Sequence, residues 1–327
     1  MEETERRTAE EWQIRSLYDS LIAEVQHAVD SKRKPILLTG GRGVGKTFVL
    51  SRLTMGKNVE RLSLRDGEID STLVAKLKSH PGPLVVDDID EKLNSDGLAL
   101  LEHVADHHKH AVVVSSTLPP DLSVLHESGA FPGLPWDSEV LAYWSEVTAH
   151  MLTFRVDPWA TGWRPHIASL VREILGVDEI TDVVSGWTTI LLDLTGGHST
   201  MLDAALAELW RMRPKEGARP TEWKHRYVQM EEHLFGTGLR RMRKLIGWLD
   251  GLDQEAGAAL RAISAGELVA ADLAVEKRRV LLDSAFLYRS PSQEIVVAGE
   301  ALRRSPCSDR VSPPARACGS GRAWLPQ

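Results

Sequence analysis

The run ILLTGGRGVGKTFVL, Ile36 to Leu50, constrains the fold more than any other stretch of the chain. It opens as an apolar, β-rich segment and closes as the start of a helical pattern. Between them stands Gly40-Gly41-Arg42-Gly43-Val44-Gly45-Lys46-Thr47, which fits G-x-x-x-x-G-K-[ST]. Glycines let such a backbone curl so that successive N–H groups point inward, toward phosphate oxygens. The helix that follows adds the positive end of its dipole. In that geometry Lys46 reaches the β- and γ-phosphates of a nucleotide, and the Thr47 hydroxyl ligates Mg²⁺. Residues 40–47, with Phe48 beside them, are therefore the expected nucleotide-binding set. Lys46 is also a candidate catalytic residue and Thr47 a candidate metal ligand.

A second stretch supports the first. Leu84-Val85-Val86-Asp87-Asp88-Ile89-Asp90 is an apolar strand ending in carboxylates, as a Walker B segment does. Asp87 is placed to hold Mg²⁺ through water, and Asp88 to orient or deprotonate an attacking water. One strand–helix unit lies between the glycine loop and these carboxylates, and a further strand, AVVVSST, follows them. Its polar end, Ser115-Ser116-Thr117, can reach a γ-phosphate or the lytic water, and Ser116 is the residue expected to do so. No Asn-Lys-x-Asp guanine-reading motif occurs. ATP is therefore the expected nucleotide.

Along the chain, Trp12, Ile14, Leu17, Leu21, Ile22, Val25 and Val29 fall at helical spacing and mark a lead-in helix within 1–30. From 31 to 158 short β-rich runs alternate with helical stretches: 36–39, 59–64, 84–87, 111–115 and 151–156. That alternation predicts an α/β fold with a parallel sheet between helices, in the P-loop NTPase order that places a strand between loop and carboxylates. Residues 159–238 read as helices only, a lid, with breaks near Gly176, Gly196–Gly197 and Pro214–Pro220. Residues 239–305 read as three helices and then two short strands, 286–289 and 294–298, the element order of a winged helix. The tail, 306–327, is rich in Pro, Gly, Ser and Arg and is expected to be disordered. It carries the two cysteines, Cys307 and Cys318, so neither a disulfide framework nor a cysteine zinc site is implied. A net charge of −7 argues against a protein that coats nucleic acid non-specifically. The charged N-terminus lacks the apolar core of a signal peptide, and no window reaches the ~20 apolar residues of a membrane span. A cytoplasmic protein is expected.

The segments GGRGVGKT, LVVDDID and VVVSST resemble the AAA+ and STAND branches of the P-loop ATPases. A further segment, Leu191-Leu192-Asp193-Leu194-Thr195-Gly196-Gly197-His198-Ser199, is similar to the TGG[HN]P element that opens a lid helix in archaeal-type STAND ATPases and origin-recognition-type initiators. The resemblance spans residues ~12–304. It implies an ATPase core, a lid that faces the nucleotide through His198, and a winged helix. This chain also departs from the pattern. Ser199 stands where the element has proline, and no arginine follows where an AAA+ lid puts its sensing residue. No arginine occurs between Asp66 and Phe154, so the usual place for an arginine finger lacks one; Arg155 and Arg164 are the nearest. Asp88 stands for the customary Glu. Together these imply slow or partner-dependent hydrolysis.

Three functions fit this reading. The first is a regulatory switch ATPase, with its effector on a separate polypeptide as in multi-protein bacterial defence systems, working through a protein partner or self-assembly. The second is an initiator- or loader-like ATPase that presents Arg278 and Arg279 of the winged helix to DNA. The third is a nucleotide-bound scaffold without turnover. Two other features read as structural. The histidines at 103–110 lack the H-E-x-x-H order and suit a solvated helix face. Trp136, Trp144, Trp159 and Trp163 suit packing between sheet and lid.

Overall fold

The computed structural model describes residues 15–31, 34–55, 58–64, 71–92, 95–106, 110–156, 163–179, 181–211, 239–289 and 294–299. Trp12, Ile14, Trp159, His107, the Pro214–Pro220 break and both cysteines lie outside them.

The chain opens on α1 (Arg15–Ser31) and alternates through β1 (Ile36–Thr39), α2 (Lys46–Arg52), β2 (Glu60–Ser63), α3 (Ser71–Lys78) and β3 (Leu84–Asp87). A 3₁₀ turn (Ile89–Lys92), α4 (Ser95–Asp106), β4 (Val112–Ser116), α5 (Leu122–Glu127), α6 (Ser138–Ala149) and β5 (Leu152–Arg155) complete the core. The five strands form one sheet in the order β2-β3-β4-β1-β5, with every pairing parallel. The expected α/β core is therefore present, and β4 separates the glycine-loop strand from the carboxylate strand.

Burial follows from this order. The inner strands β1, β3 and β4 are buried at every residue, as strands covered on both faces must be. The edge strands β2 and β5 alternate half-buried with exposed. Side chains on the two faces feed two cores. Ile36, Leu38, Val85 and Val113 join α1, α2 and the helices α7 (Trp163–Leu175), α8 (Asp182–Thr195) and α9 (Ser199–Arg211). Leu37, Leu84, Val86, Val112 and Val114 join α3, α4 and α6 on the other face. Trp144 is wholly buried there, its indole N–H donating to the Pro119 carbonyl at 2.9 Å.

The C-terminal elements are α10 (Leu239–Leu252), α11 (Gln254–Ala265), α12 (Val275–Asp283), β6 (Leu287–Arg289) and β7 (Ile295–Val297). β6 and β7 pair antiparallel. These elements share a core with the sheet, because Ile246, Leu249, Leu260, Val280, Leu281 and Phe286 belong to the same buried cluster as Leu37 and Val86. They are docked on the α/β core.

Candidate functional site

The site sits at the C-terminal ends of β1, β3 and β4, where a doubly covered parallel sheet leaves its crevice. The loop from Gly40 to Gly45 turns β1 into α2, and Gly45 caps α2 in the left-handed region at φ 104°. Lys46 is 5% exposed, and its ammonium donates to the Gly40 carbonyl at 2.8 Å and the Gly41 carbonyl at 3.1 Å. The loop is thus curled around its own lysine. Tyr18 of α1 fastens it from behind by donating its hydroxyl to the Val44 carbonyl. Phe48 packs on the Tyr18 ring at 5.5 Å and lies under the Arg52 guanidinium at 5.1 Å.

Thr47 donates its hydroxyl to Asp87 Oδ2 at 2.6 Å, so loop and carboxylate strand meet directly. Such paired oxygens suit a hard divalent cation. Ser115 donates its hydroxyl to the other Asp87 oxygen, Oδ1, and accepts the Asp88 N–H at 2.9 Å. Asp88 itself is 4% exposed and holds φ at 57°, a conformation costly for a side chain with a β-carbon. Two residues on, Asp90 accepts the Thr117 N–H at 2.9 Å and the Thr117 hydroxyl, which fixes the turn that carries Asp88.

Ser116 is placed differently from its expected role. Its hydroxyl is wholly buried and accepts the Leu118 N–H at 2.9 Å. The reason is strand alternation. Val86 registers with Val114, so the next pair outward sets Asp87 beside Ser115, and Ser116 points to the opposite face. The choice between the two serines rests on the register of β3 against β4.

On the other side of the loop, His198 is buried just ahead of α9, and its Nε2 lies 3.2 Å from the Arg42 carbonyl. A carbonyl only accepts, so Nε2 carries the hydrogen and the neutral ring leaves Nδ1 bare. Nδ1 is buried and has no partner. Burial pushes the imidazole down to about 4, and the Lys46 charge pushes the same way against the Arg42 hydrogen bond. His198 is thus a neutral ring beside the loop.

The loop's remaining neighbour was not legible in the sequence. A β-carbon on Gly41 would lie 2.7 Å from that of Ala285 and closer still to the Ser284 carbonyl. Only glycine permits this approach. Ala285 turns this corner at φ 64°. Arg155, at the end of β5, donates to Asp283 at 2.8 Å and to the Leu282 carbonyl at 2.9 Å. Arg279 pairs with Asp283 as well and lies 3.5 Å from Asp121 of the core. Lys277 bridges the fully buried Asp253 and the Gly129 carbonyl. Gly196, which ends α8, meets the backbone of Ala298 and Gly299. Arg278 donates to the Ala271 carbonyl at 3.3 Å. Of the residues expected to face DNA, Arg279 is therefore engaged by the protein itself. Arg155, the nearest substitute for a finger, holds the C-terminal elements, and Arg164 bonds Thr189 of α8. Among the described residues no group of His, Cys, Asp and Glu forms a metal cluster.

Neither a protein-family model nor a curated protein matches the sequence. Solved structures do match in shape. The Walker-type ATPase of Pyrococcus abyssi aligns over 89% of this chain and 95% of its own, with a TM-score of 0.56 and 10% identity. A RuvB variant from Thermotoga maritima covers the same shares, 89% and 95%, with a TM-score of 0.45 and 14% identity. Domain III of the Thermotoga maritima replication initiation protein DnaA aligns over 59% of this chain and 82% of its own, with a TM-score of 0.39 and 16% identity. The first of these likenesses shows that the chain has the fold of a P-loop, Walker-type ATPase.

Proposed function

We propose that the chain is an ATP-binding switch ATPase of the AAA+ and STAND type, in which nucleotide state sets whether a C-terminal winged helix stays seated on the phosphate loop. The observation that carries this is Gly41 packed against Ser284 and Ala285, which makes the cradle and the seat one surface. A ligand shifts a conformational equilibrium only by binding its two forms unequally. In this reading phosphate entry moves the loop at Gly41, so that nucleotide binds the seated and unseated forms unequally.

In this reading Gly40 to Thr47 hold the phosphates, with Phe48 stiffening the first turn of α2 and Lys46 turning from its loop carbonyls to the phosphates. Thr47 and Asp87 hold Mg²⁺, and their direct hydrogen bond already brings the two oxygens together. A bound Mg²⁺ would supply charge neutralisation at the phosphates. Asp88 orients and deprotonates the attacking water, and Ser115 holds the Asp87 carboxylate and the Asp88 backbone N–H. His198 brings the lid to the loop. Turnover is slow or partner-dependent, because Arg155 is occupied by Asp283 and the base is an aspartate. The fold units are a core at 31–158, a lid at 159–238 and a winged helix at 239–305, the last supported by three helices leading into an antiparallel strand pair. No described helix is long and apolar enough to cross a membrane, and we place the protein in the cytoplasm with a protein partner or copies of itself. A DNA-binding role through Arg278 and Arg279 would first require α12 to leave Asp121.

Calorimetry tests the cradle: Lys46→Ala should weaken ATP binding by at least about a hundredfold, and undiminished affinity would remove the assignment. Asp88→Asn should bind ATP without splitting it. Hydrogen exchange across 281–299 should rise when ATP is added to the wild type. An unchanged pattern would leave an ATPase but not a switch.

A further inference from the structure

The lid approaches the phosphate loop with an imidazole where an arginine would be expected. Arg211, the arginine of α9, sits in the last turn of that helix and is paired with Glu208, far from the loop. His198 stands at the helix start, 4% exposed, its Nε2 hydrogen committed to the Arg42 carbonyl. Its Nδ1 is buried and unpartnered. Buried nitrogen atoms in that condition are uncommon in proteins, and each calls for an explanation. The charged group that acts on the ring is Lys46, across the loop, while Arg42 supplies its carbonyl.

We infer that His198 is the lid's phosphate-reading residue: when a nucleoside triphosphate enters, Nδ1 takes up one proton from solvent and donates a charge-assisted hydrogen bond to a phosphate oxygen. The inference rests on the reading of Gly40–Thr47 as a nucleotide cradle. Its physics is a reversal of local field. Before binding, the ring faces a lysine cation in a buried setting, and both disfavour imidazolium. A triphosphate placed against Lys46 brings several negative charges to the same spot, so the balance inverts and the bare nitrogen becomes a donor. Nε2 keeps its hydrogen throughout, so the Arg42 tether survives and the lid is pinned to loop and ligand by one ring. Lid closure is then coupled to proton uptake, which an arginine could not provide.

The test is calorimetric titration of the full chain with MgATP at pH 7.5 in two buffers of different ionisation enthalpy. The wild type should take up close to one more proton per ATP than His198→Gln. Its affinity should fall about tenfold per pH unit above neutrality, relative to the variant. A measurement on the wild type alone guards against a variant that misfolds. With ¹⁵N-labelled imidazoles, the His198 Nδ1 resonance should move from a bare to a protonated nitrogen when MgATP is added. If MgATP binds in a Lys46-dependent way but Nδ1 stays bare and the wild type and variant take up equal protons, the inference falls and the cradle stands. A ring that accepts from a ribose hydroxyl or the adenine amine would give that result. If MgATP does not bind at all, the cradle falls and takes the inference with it.

Discussion

Ser284 presents its backbone carbonyl to Gly41 so closely that a side chain on Gly41 has no room. The C-terminal elements therefore rest on the loop itself and not merely beside it. Gly41→Ala should displace the Ser284–Ala285 corner and raise amide exchange across 281–299 by about tenfold or more. Wild-type exchange in that variant would show that the corner yields to a methyl group and that the contact is incidental.

Ser115 and Ser116 offer a paired test. Ser115→Ala leaves Asp87 and the Asp88 N–H without their shared hydroxyl, at a cost of about 1–3 kcal/mol. ATP turnover should fall at least about tenfold, with a raised magnesium requirement. Ser116→Ala loses one acceptor for the Leu118 N–H, about 1 kcal/mol, and should leave the magnesium requirement alone. Steady-state rates across a magnesium series separate the two, and a larger kinetic effect at Ser116 would reverse the assignment.

Asp283 is the hub of the seat, with a side chain 6% exposed between arginine side chains that are 42% and 43% exposed. Because both arginines remain partly hydrated, Asp283→Ala should cost only about 1–2 kcal/mol in urea denaturation. Its larger effect is on docking. Release of α12 frees Arg279, so any duplex binding at low salt should appear or strengthen in this variant. Wild-type hydrogen exchange in the C-terminal elements would show that apolar packing alone holds them.

The acid limb of stability carries a signature of His198. In the folded chain burial holds the ring near about 4, against 6.5 when it is exposed. Between those values the unfolded chain binds the proton and the folded chain does not. Stability is therefore full above about 6.5 and is lost as pH falls toward 4, by about 3 kcal/mol. Urea midpoints of nucleotide-free wild type and His198→Gln should converge as pH falls through that window. Parallel acid limbs would mean the ring is solvated.

Much of the core was legible because its signals are local. An apolar strand, a glycine loop and a lysine–threonine pair are contiguous from Ile36 to Thr47, and Asp87 and Asp88 close a buried strand. Each of the five β-rich runs became a strand, with ends shifted by no more than a residue. The choice between Ser115 and Ser116 needed the register of β3 against β4, which is a property of two segments and not of either alone. The role of Tyr18 is not legible in sequence, because a hydroxyl in an apolar helical stripe gives no hint of the carbonyl it will meet. The seat was the least legible part. Gly41 and Ser284 are remote in sequence, and the arginines of α12 look alike whether they face solvent, a phosphate or Asp121. Charge pattern alone could not tell a nucleic-acid surface from an internal brace.

The Tyr18–Val44 bond gives α1 a role that its place ahead of the first strand does not suggest. A helix that grips the cradle from behind is a handle on it. A tilt of α1 would reach the curvature of the loop through the Tyr18 hydroxyl, at a point apart from the Gly41 contact with Ser284. Trimming the chain past Tyr18 would slacken the loop while leaving every glycine in place.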